Sequence, residues 1–336
     1  MARLRRSDPT TAGITRLYYN NSFKYVDSNG KTITDSKTLE RINSLVIPPA
    51  WTHVWICDHD RGHIQAVGID SRGRKQYLYH PKWRNQQDKK KFDHMVEFGK
   101  ALPLLRKQCL ELMNQNGLSY EKSLASAVFL LDLGLFRIGM EDYAQENNTY
   151  GLATLEKSHV KIKNDVAIFD YTAKSNKRRI QSISHPKTVE IIRILKNRRS
   201  GGNQLLAYKD KGKWMDVTSF HINSFIKSMT GSNFSAKDFR TWRATNLAAI
   251  ALGVSSNAVS TTAKKKAVTR AIKEVSYYLG NTPAIARSSY VDPRIIDKYF
   301  QGETIEKTLI EIGYDTDKGI PAVEGAIEEA VLDLLI

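Results

Sequence analysis

Hydrophobic and polar positions change rhythm once along this chain. Up to about residue 80 the apolar residues come in short alternating runs, the pattern of half-buried strands. ITRLYY (14–19) and FKYVD (23–27) are two such runs. Ser28-Asn29-Gly30-Lys31 follows them, and Asn-Gly is a strong hairpin-turn signal. SKTLERINSL (36–45) reads as a short helix with Ser36 as its cap and Glu40 nearby, ended by Ile47-Pro48-Pro49. WTHVWIC (51–57), HIQAVGI (63–69) and KQYLYH (75–80) are further strands, separated by the turn-rich DHDRG (58–62) and DSRG (70–73). The pattern predicts a small antiparallel sheet with one or two helices.

At PKWRNQQDKKKF the strands stop and charge accumulates, which places a domain boundary near residues 81–92. The expected domains are 1–88 and 89–336. Beyond the boundary apolar residues recur at helical spacing through 92–113, with Pro103 expected to kink or divide the segment. SLASAVFLLDLGLFRIG (123–139) is nearly all apolar and reads as one buried helix with Arg137 near its end. A β-island interrupts the helices. HVKIK, Asn164-Asp165, VAIFDY, TAKSN and KRRIQSIS form a three-stranded meander with two tight turns. Helices follow around 187–197 and 217–229, then over 237–252 and 261–279, the last with Gly280 as a left-handed cap. The fold class is α+β: a β-rich N-terminal domain and a mostly helical second domain carrying the meander.

Composition narrows the function. The 336 residues carry a formal charge of +16 with a pI near 9.6, which points to a polyanionic partner. The charge is uneven. Residues 295–336 hold three Lys/Arg against ten Asp/Glu, a net of −7, so residues 1–294 carry +23. The basic part is the expected binding body, and the acidic end reads as a solvated, amphipathic helical tail. No apolar run is long enough to span a membrane, and the basic N-terminus lacks the apolar stretch of a secretory signal. Cys57 and Cys109 are the sole cysteines, which argues against a disulfide framework or a cysteine-rich metal site and fits a reducing cytosol.

LGNTPAIARSSYVDP places Tyr290 among small residues just before a proline. A phenol is a weak nucleophile at neutral pH and must be activated. To attack a phosphodiester it needs cations on the non-bridging oxygens and an acid for the leaving oxygen. Arginine suits the first task, because its planar fork binds two oxygens at once. Arg137 in LFRIG and Arg240 in KDFRTW are candidates, and Arg243 shares a helical face with Arg240. Lys174, in the second turn of the meander, is a candidate acid. Asn281 can donate a side-chain N–H to an oxygen. Each residue alone has an ordinary structural explanation.

Taken in order, Arg, Lys, Arg, Asn and Tyr in LFRIG, YTAKSNK, KDFRTW, LGNTP and SSYVDP resemble the type IB DNA topoisomerases. The bacterial branch, close to the poxvirus enzymes, is the nearest likeness. RINSLVIPPAWTHVWI, GHIQAVGIDSRGRKQYLYHPKW and FRIGMEDYAQENNTYGLATL extend the resemblance over nearly the whole chain. It implies a DNA clamp in which Tyr290 attacks one phosphodiester of duplex DNA, forming a 3′-phosphotyrosyl link and releasing a 5′-hydroxyl. Arg137 and Arg240 match the phosphate-clamping arginines, and Lys174 the general acid, with Lys177 in the same turn. Asn281 stands where poxvirus and eukaryotic members carry histidine, so it can donate to phosphate but cannot shuttle a proton. Neither metal nor ATP nor any other cofactor is implied, since guanidiniums and a lysine supply the charge and one phosphodiester is exchanged for another. In the family the match to GRKQYLYH lies in the major groove. Arg74, Lys75, Gln76, Tyr77 and Tyr79 are therefore candidate contacts, and Tyr143 matches another DNA-contacting tyrosine. Met140 replaces the lysine that poxvirus enzymes carry after the RxG glycine, so their cleavage preference is not implied. Double-stranded DNA as partner, a monomer, and the cytoplasm or nucleoid of a bacterium complete the expectation. Two rivals stand beside it. A tyrosine recombinase shares the catalytic set but usually shows a His-x-x-Arg box where this chain has Lys237-Asp238-Phe239-Arg240. A non-enzymatic DNA-binding protein would share only the charge.

Overall fold

A computed structural model describes residues 3–312 and 325–336, apart from the side chains of Tyr143 and Gln145. The chain divides into two units, Met1–Asp93 and His94–Ile336. The division falls a few residues after the boundary expected from sequence, and it falls inside a helix.

The first unit is built on a five-stranded antiparallel sheet. Its strands are β1 (Ile14–Tyr19), β2 (Ser22–Val26), β3 (Thr52–Ile56), β4 (Ile64–Ile69) and β5 (Lys75–Tyr79), in the order β2-β1-β3-β4-β5. The helix α1 (Ser36–Ser44) crosses between β2 and β3. Ile14, Ile42, Val54, Ile56 and Ala66 form the core, with Trp51 and Leu78 packed against it. Asn20 and Asn21, both with positive φ, make the tight β1–β2 turn. The cap of α1 is Asp35, which accepts from Thr38 N at 2.8 Å, and not Ser36, which is already helical. Arg16 is buried in β1 and donates to the carbonyls of Ile47, Pro48 and Trp51, which holds the proline-rich turn against the sheet. Burial pushes its guanidinium below the usual range.

Next comes α2 (Pro81–Met113), which begins at the proline after β5 and runs from one unit into the next. Pro103 lies inside it without ending it. The lost hydrogen bond is offset by a buried stripe at helical spacing, Met95, Phe98, Leu102, Leu105, Cys109 and Met113. Cys109 is therefore a packing residue, and burial pushes its thiol up to about 12.

The second unit continues with α3 (Tyr120–Gly134), α4 (Glu141–Asn147) and the sheet β6 (Val160–Lys163), β7 (Val166–Ala173) and β8 (Lys177–Ile183), paired in that order as the pattern predicts. Then come α5 (Pro186–Asn197), β9 (Ala207–Asp210) and β10 (Lys213–Asp216), a hairpin the sequence pattern does not reveal. Six helices follow: α6 (Ser219–Thr230), α7 (Ala236–Gly253), α8 (Thr261–Leu279), α9 (Pro283–Ser289), α10 (Pro293–Gln301) and α11 (Glu306–Ile312). The last element is α12 (Ala326–Leu335). The bundle is centred on α7, which touches α3, α6, α8, α10, α11 and α12 and is buried nearly all round.

Two expectations are corrected here. The apolar helix does not reach Arg137. It ends at Gly134, and Leu135 turns left-handed at φ 54°. Where it is described, at 295–312 and 325–336, the acidic end is not a solvated tail; residues 313–324 lie outside the described residues. Ile295, Ile296 and Tyr299 of α10 and Ile327, Val331 and Leu335 of α12 are buried, and so is Glu328, only 4% exposed. Arg106 bridges Glu328 (2.5 and 3.0 Å) and Asp132 of α3 (2.6 and 3.0 Å), while Trp242 of α7 donates to Glu328 at 2.9 Å. Burial alone would push the Arg106 guanidinium down, but its bonds to both carboxylates outweigh burial and hold it above its usual range.

Candidate active site

The site forms where two helices end. A helix C-terminus leaves carbonyls without intrahelical partners and carries a partial negative charge. At the end of α8, Arg179 donates to Tyr277 O (3.1 Å) and Tyr278 O (2.6 Å), Arg240 to Leu279 O (2.8 Å), and Arg137 to Gly280 O (3.1 Å). At the end of α3, Arg243 donates to Asp132 O (3.0 Å), Gln181 to Gly134 O, and Arg240 to Leu135 O. Arg240 therefore links the two termini. Gly280 caps α8 at φ +63°, a conformation an L side chain rarely adopts.

Each side chain is held from its own element. Arg137 lies on irregular chain beyond α3. Its carbonyl accepts from Leu152 N at 2.7 Å, and Gly139 and Gly151 approach so closely that a Cβ on either would collide with the other. Arg240 and Arg243 lie one turn apart on α7 and are 3% and 4% exposed. Only Arg243 pairs with a carboxylate, Asp132 at 3.6 Å. Arg240 has two carbonyls, and its Nε is buried without a partner among the described residues. Burial, with Arg137 nearby, pushes the Arg240 guanidinium down to about 10, still charged at neutral pH.

Tyr290 closes the short helix α9, with its backbone N bonded to Ala286 O at 3.1 Å. Thr245 of α7 donates to Tyr290 O at 3.3 Å and accepts from Asp292 N at 3.1 Å, so the helix that carries Arg240 also fixes the tyrosine's chain. The Arg240 guanidinium carbon lies 5.5 Å from the centre of the Tyr290 ring. Burial pushes the phenol up. The charge of Arg240, hydrogen bonds from Asn281 and Arg240, and the charge of Arg137 outweigh it, so the phenol stands below its ordinary value. Asn281 spends its Oδ1 on Arg137, which leaves its amide N–H to donate.

Tyr290, Arg137, Arg240 and Asn281 thus come together. Lys174 does not join them. It lies exposed at the tip of the β7–β8 hairpin, beside Ser175 and Asn176 with positive φ, and makes no hydrogen bond or ion pair among the described residues. Lys177 is exposed in the same turn. The residue that sequence reasoning misses is Arg179. KRRIQSIS reads as the third strand of the meander, with no role given to its arginines. Yet Arg179 alternates with the buried Gln181 and Ile183 while Ile180 points outward at 58% exposure, an inverted pattern that register alone reveals.

In the first unit Lys75, Tyr77 and Tyr79 share the exposed face of β5. The tyrosine rings stack at 6.0 Å, and Lys75 Nζ lies 5.8 Å from the Tyr77 ring centre. Gln76 faces the other way. It donates to Asp70 Oδ2 at 2.9 Å, and Arg74 grips the same carboxylate at 2.7 Å. Tyr143 lies in α4, and its side chain is outside the described residues.

Two guanidiniums beside a tyrosine, Arg137 and Arg240, held by helix-end carbonyls and, among the described residues, not by carboxylates, form an arrangement that can seat a phosphate next to a phenol whose anion they favour. Comparison with known proteins shows the family. The family profile of the eukaryotic DNA topoisomerase I catalytic core matches residues 80–311, and that of the bacterial DNA topoisomerase IB N-terminal domain matches residues 22–70. The chain is 33% identical over 294 residues to DNA topoisomerase 1B of Acanthamoeba polyphaga mimivirus, covering 84% of each. It is 25% identical over 319 residues to DNA topoisomerase I of Monkeypox virus and to DNA topoisomerase 1B of Vaccinia virus (strain Copenhagen), covering 88% of this chain and 94% of each relative. The chain belongs to the type IB DNA topoisomerase family, and is accordingly an isomerase acting on DNA.

Proposed function

We propose that Tyr290 is the nucleophile of a reversible strand cleavage that relaxes supercoiled DNA. The Tyr290 phenol gives its proton to solvent, the phenolate oxygen attacks the phosphorus, the bond from phosphorus to the 5′ oxygen breaks, and Lys174 gives that oxygen its proton. The product is a 3′-phosphotyrosyl link and a free 5′-hydroxyl. Religation reverses each transfer, so no ATP is consumed. Arg137 and Arg240 hold the non-bridging oxygens where negative charge builds up. Asn281 donates to the phenolate and to a phosphate oxygen.

One observation carries this reading. Among the described residues Arg240 is a buried cation with no carboxylate beside it and an unpartnered Nε, while Arg243, one turn away, is paired. A buried unpaired charge is costly, and a bound phosphate removes that cost. Lys174 reaches the site by movement of the hairpin tip. The exposed strip Lys75, Tyr77 and Tyr79 supplies DNA contacts from the first unit, the other half of a clamp around duplex DNA in a monomeric enzyme of the bacterial nucleoid.

The test uses plasmid. The purified protein is expected to relax supercoiled DNA in EDTA without ATP. Tyr290→Phe is expected to abolish relaxation while leaving DNA binding intact. A Phe variant that relaxes DNA as fast as the unaltered chain would show that another group attacks.

A further inference from the structure

Arg179 has no part in the catalytic set described so far, yet it makes the two contacts that join the β7–β8 hairpin to the end of α8. It stands on β8 directly opposite Tyr171, two rungs below the Ala173–Lys177 pair that closes the hairpin tip. Below this level the hairpin is anchored. Tyr171 is buried, its hydroxyl donates to Gln181 Oε1 at 2.7 Å, and Gln181 in turn donates to Gly134 O at the end of α3. Above it, Lys174, Ser175, Asn176, Lys177 and Arg178 are all exposed. Arg178 pairs with Asp170 on the opposite face of the hairpin, at 2.6 Å. Arg179 is therefore the last β8 side chain before the tip that is bonded to an element outside the hairpin, since the Arg178 pair stays within it.

Its tether leads to the α8 turn. The two terminal nitrogens take the carbonyls of Tyr277 and Tyr278, and Gly280 lies so close that a Cβ there would come 3.0 Å from Arg179 Nη1. The next residue is Asn281, whose backbone N returns to Ser276 O at 3.0 Å and whose side chain meets Arg137. A lysine at this position offers one nitrogen where arginine offers a fork, so it can hold one carbonyl well but not both.

We propose that Arg179 is a positioning residue that ties the lysine-bearing hairpin to the Gly280-Asn281 turn, so that the acid and the phosphate donor are presented to the same phosphodiester. This rests on the role given to Lys174 above. The experiment separates acid delivery from the rest of the reaction. Single-turnover cleavage of a suicide duplex is measured with the full chain on an ordinary phosphodiester and on a 5′-bridging phosphorothiolate, whose sulfur leaves without a proton. Lys174→Ala, Arg179→Ala and Arg179→Lys are compared. On the ordinary duplex Arg179→Ala is expected to slow cleavage by about 100-fold, the scale of a misplaced catalytic group. Most of that loss should vanish on the sulfur duplex, as it should for Lys174→Ala, with Arg179→Lys showing the same pattern at smaller amplitude. If Lys174→Ala is rescued by sulfur but both Arg179 variants are slowed equally on the two duplexes, or cut neither, Arg179 does not position the acid. If Lys174→Ala itself is not rescued, Lys174 is not the acid, and the positioning role falls with it.

Discussion

Asn281 shows how one side chain joins two parts of the site. Its oxygen accepts from Arg137, which fixes the amide, and its N–H is directed to the phenol of Tyr290. With the phenolate as the proposed attacking form, every group that favours it lowers the pH at which cleavage levels off. Burial opposes ionisation, while Arg240, Asn281 and Arg137 favour it and prevail. Asn281→Ala removes one of the three, so the phenol's pKa rises and the acid limb of the pH–rate profile moves to higher pH. At a fixed neutral pH single-turnover cleavage should fall about tenfold, the worth of one hydrogen bond to a charged group. An unmoved limb would mean that Asn281 does not touch the phenol. The residues of the site were legible to different degrees. Tyr290, Arg240 and Asn281 stand in local contexts, SSYVDP, KDFRTW and LGNTP, that name them. Arg179 was hidden, because its importance lies in facing inward from a strand whose isoleucine faces out, and only pairing register decides that.

Local periodicity and end signals mark α7 and α8 well. The expected spans 237–252 and 261–279 differ from the observed helices by at most one residue at either end, and Gly280 caps α8 as its position suggests. Where an element is ended by long-range contacts, the pattern misleads. LGLFRIG continues the apolar run, but α3 stops at Gly134 because Gln181, Arg240 and Arg243 take the carbonyls at its end. The C-terminal acids misled for the same reason. Glu328 meets Trp242 across 86 residues and Arg106 across 222, separations that charge counting cannot see. That carboxylate makes α12 part of the support for α3 and α7, the elements that position Arg137 and Arg240. Glu328→Ala leaves Trp242 Nε1 without its acceptor and Arg106 with one carboxylate in place of two. Breaking such a buried network from one side costs about 3 kcal/mol or more. Thermal denaturation should show a drop of roughly 6–12 °C. A variant that melts with the unaltered chain would show that α12 rides on the bundle without bracing it.

At the scale of the whole molecule the charge is divided between work inside and work outside. Residues 295–336 carry −7, and part of that is spent inward on Arg106; residues 1–294 carry +23, of which cations such as Arg16, Arg106 and Arg243 are used inside and the exposed remainder is available to DNA. Lys264, one of three lysines at the start of α8 that the sequence leaves open between phosphate contact and a solvated helix start, donates to the carbonyls of Tyr299 and Phe300 and closes the end of α10. Binding to a polyanion releases counterions, so affinity should fall steeply and log-linearly with salt. The strip on β5 offers a way to separate the charge effect from contact. Lys75→Ala should reduce the slope of log K against log salt by about 1, as expected for one lost phosphate contact. Tyr77→Ala and Tyr79→Ala should weaken binding with the slope unchanged, because a ring displaces no counterion. Gln76→Ala should change little, since Gln76 points away from the strip and is held by Asp70. Fluorescence anisotropy with a labelled duplex over a salt series reads all four variants. A loss at Gln76 as large as that at Tyr77 would mean that DNA meets the other face of β5.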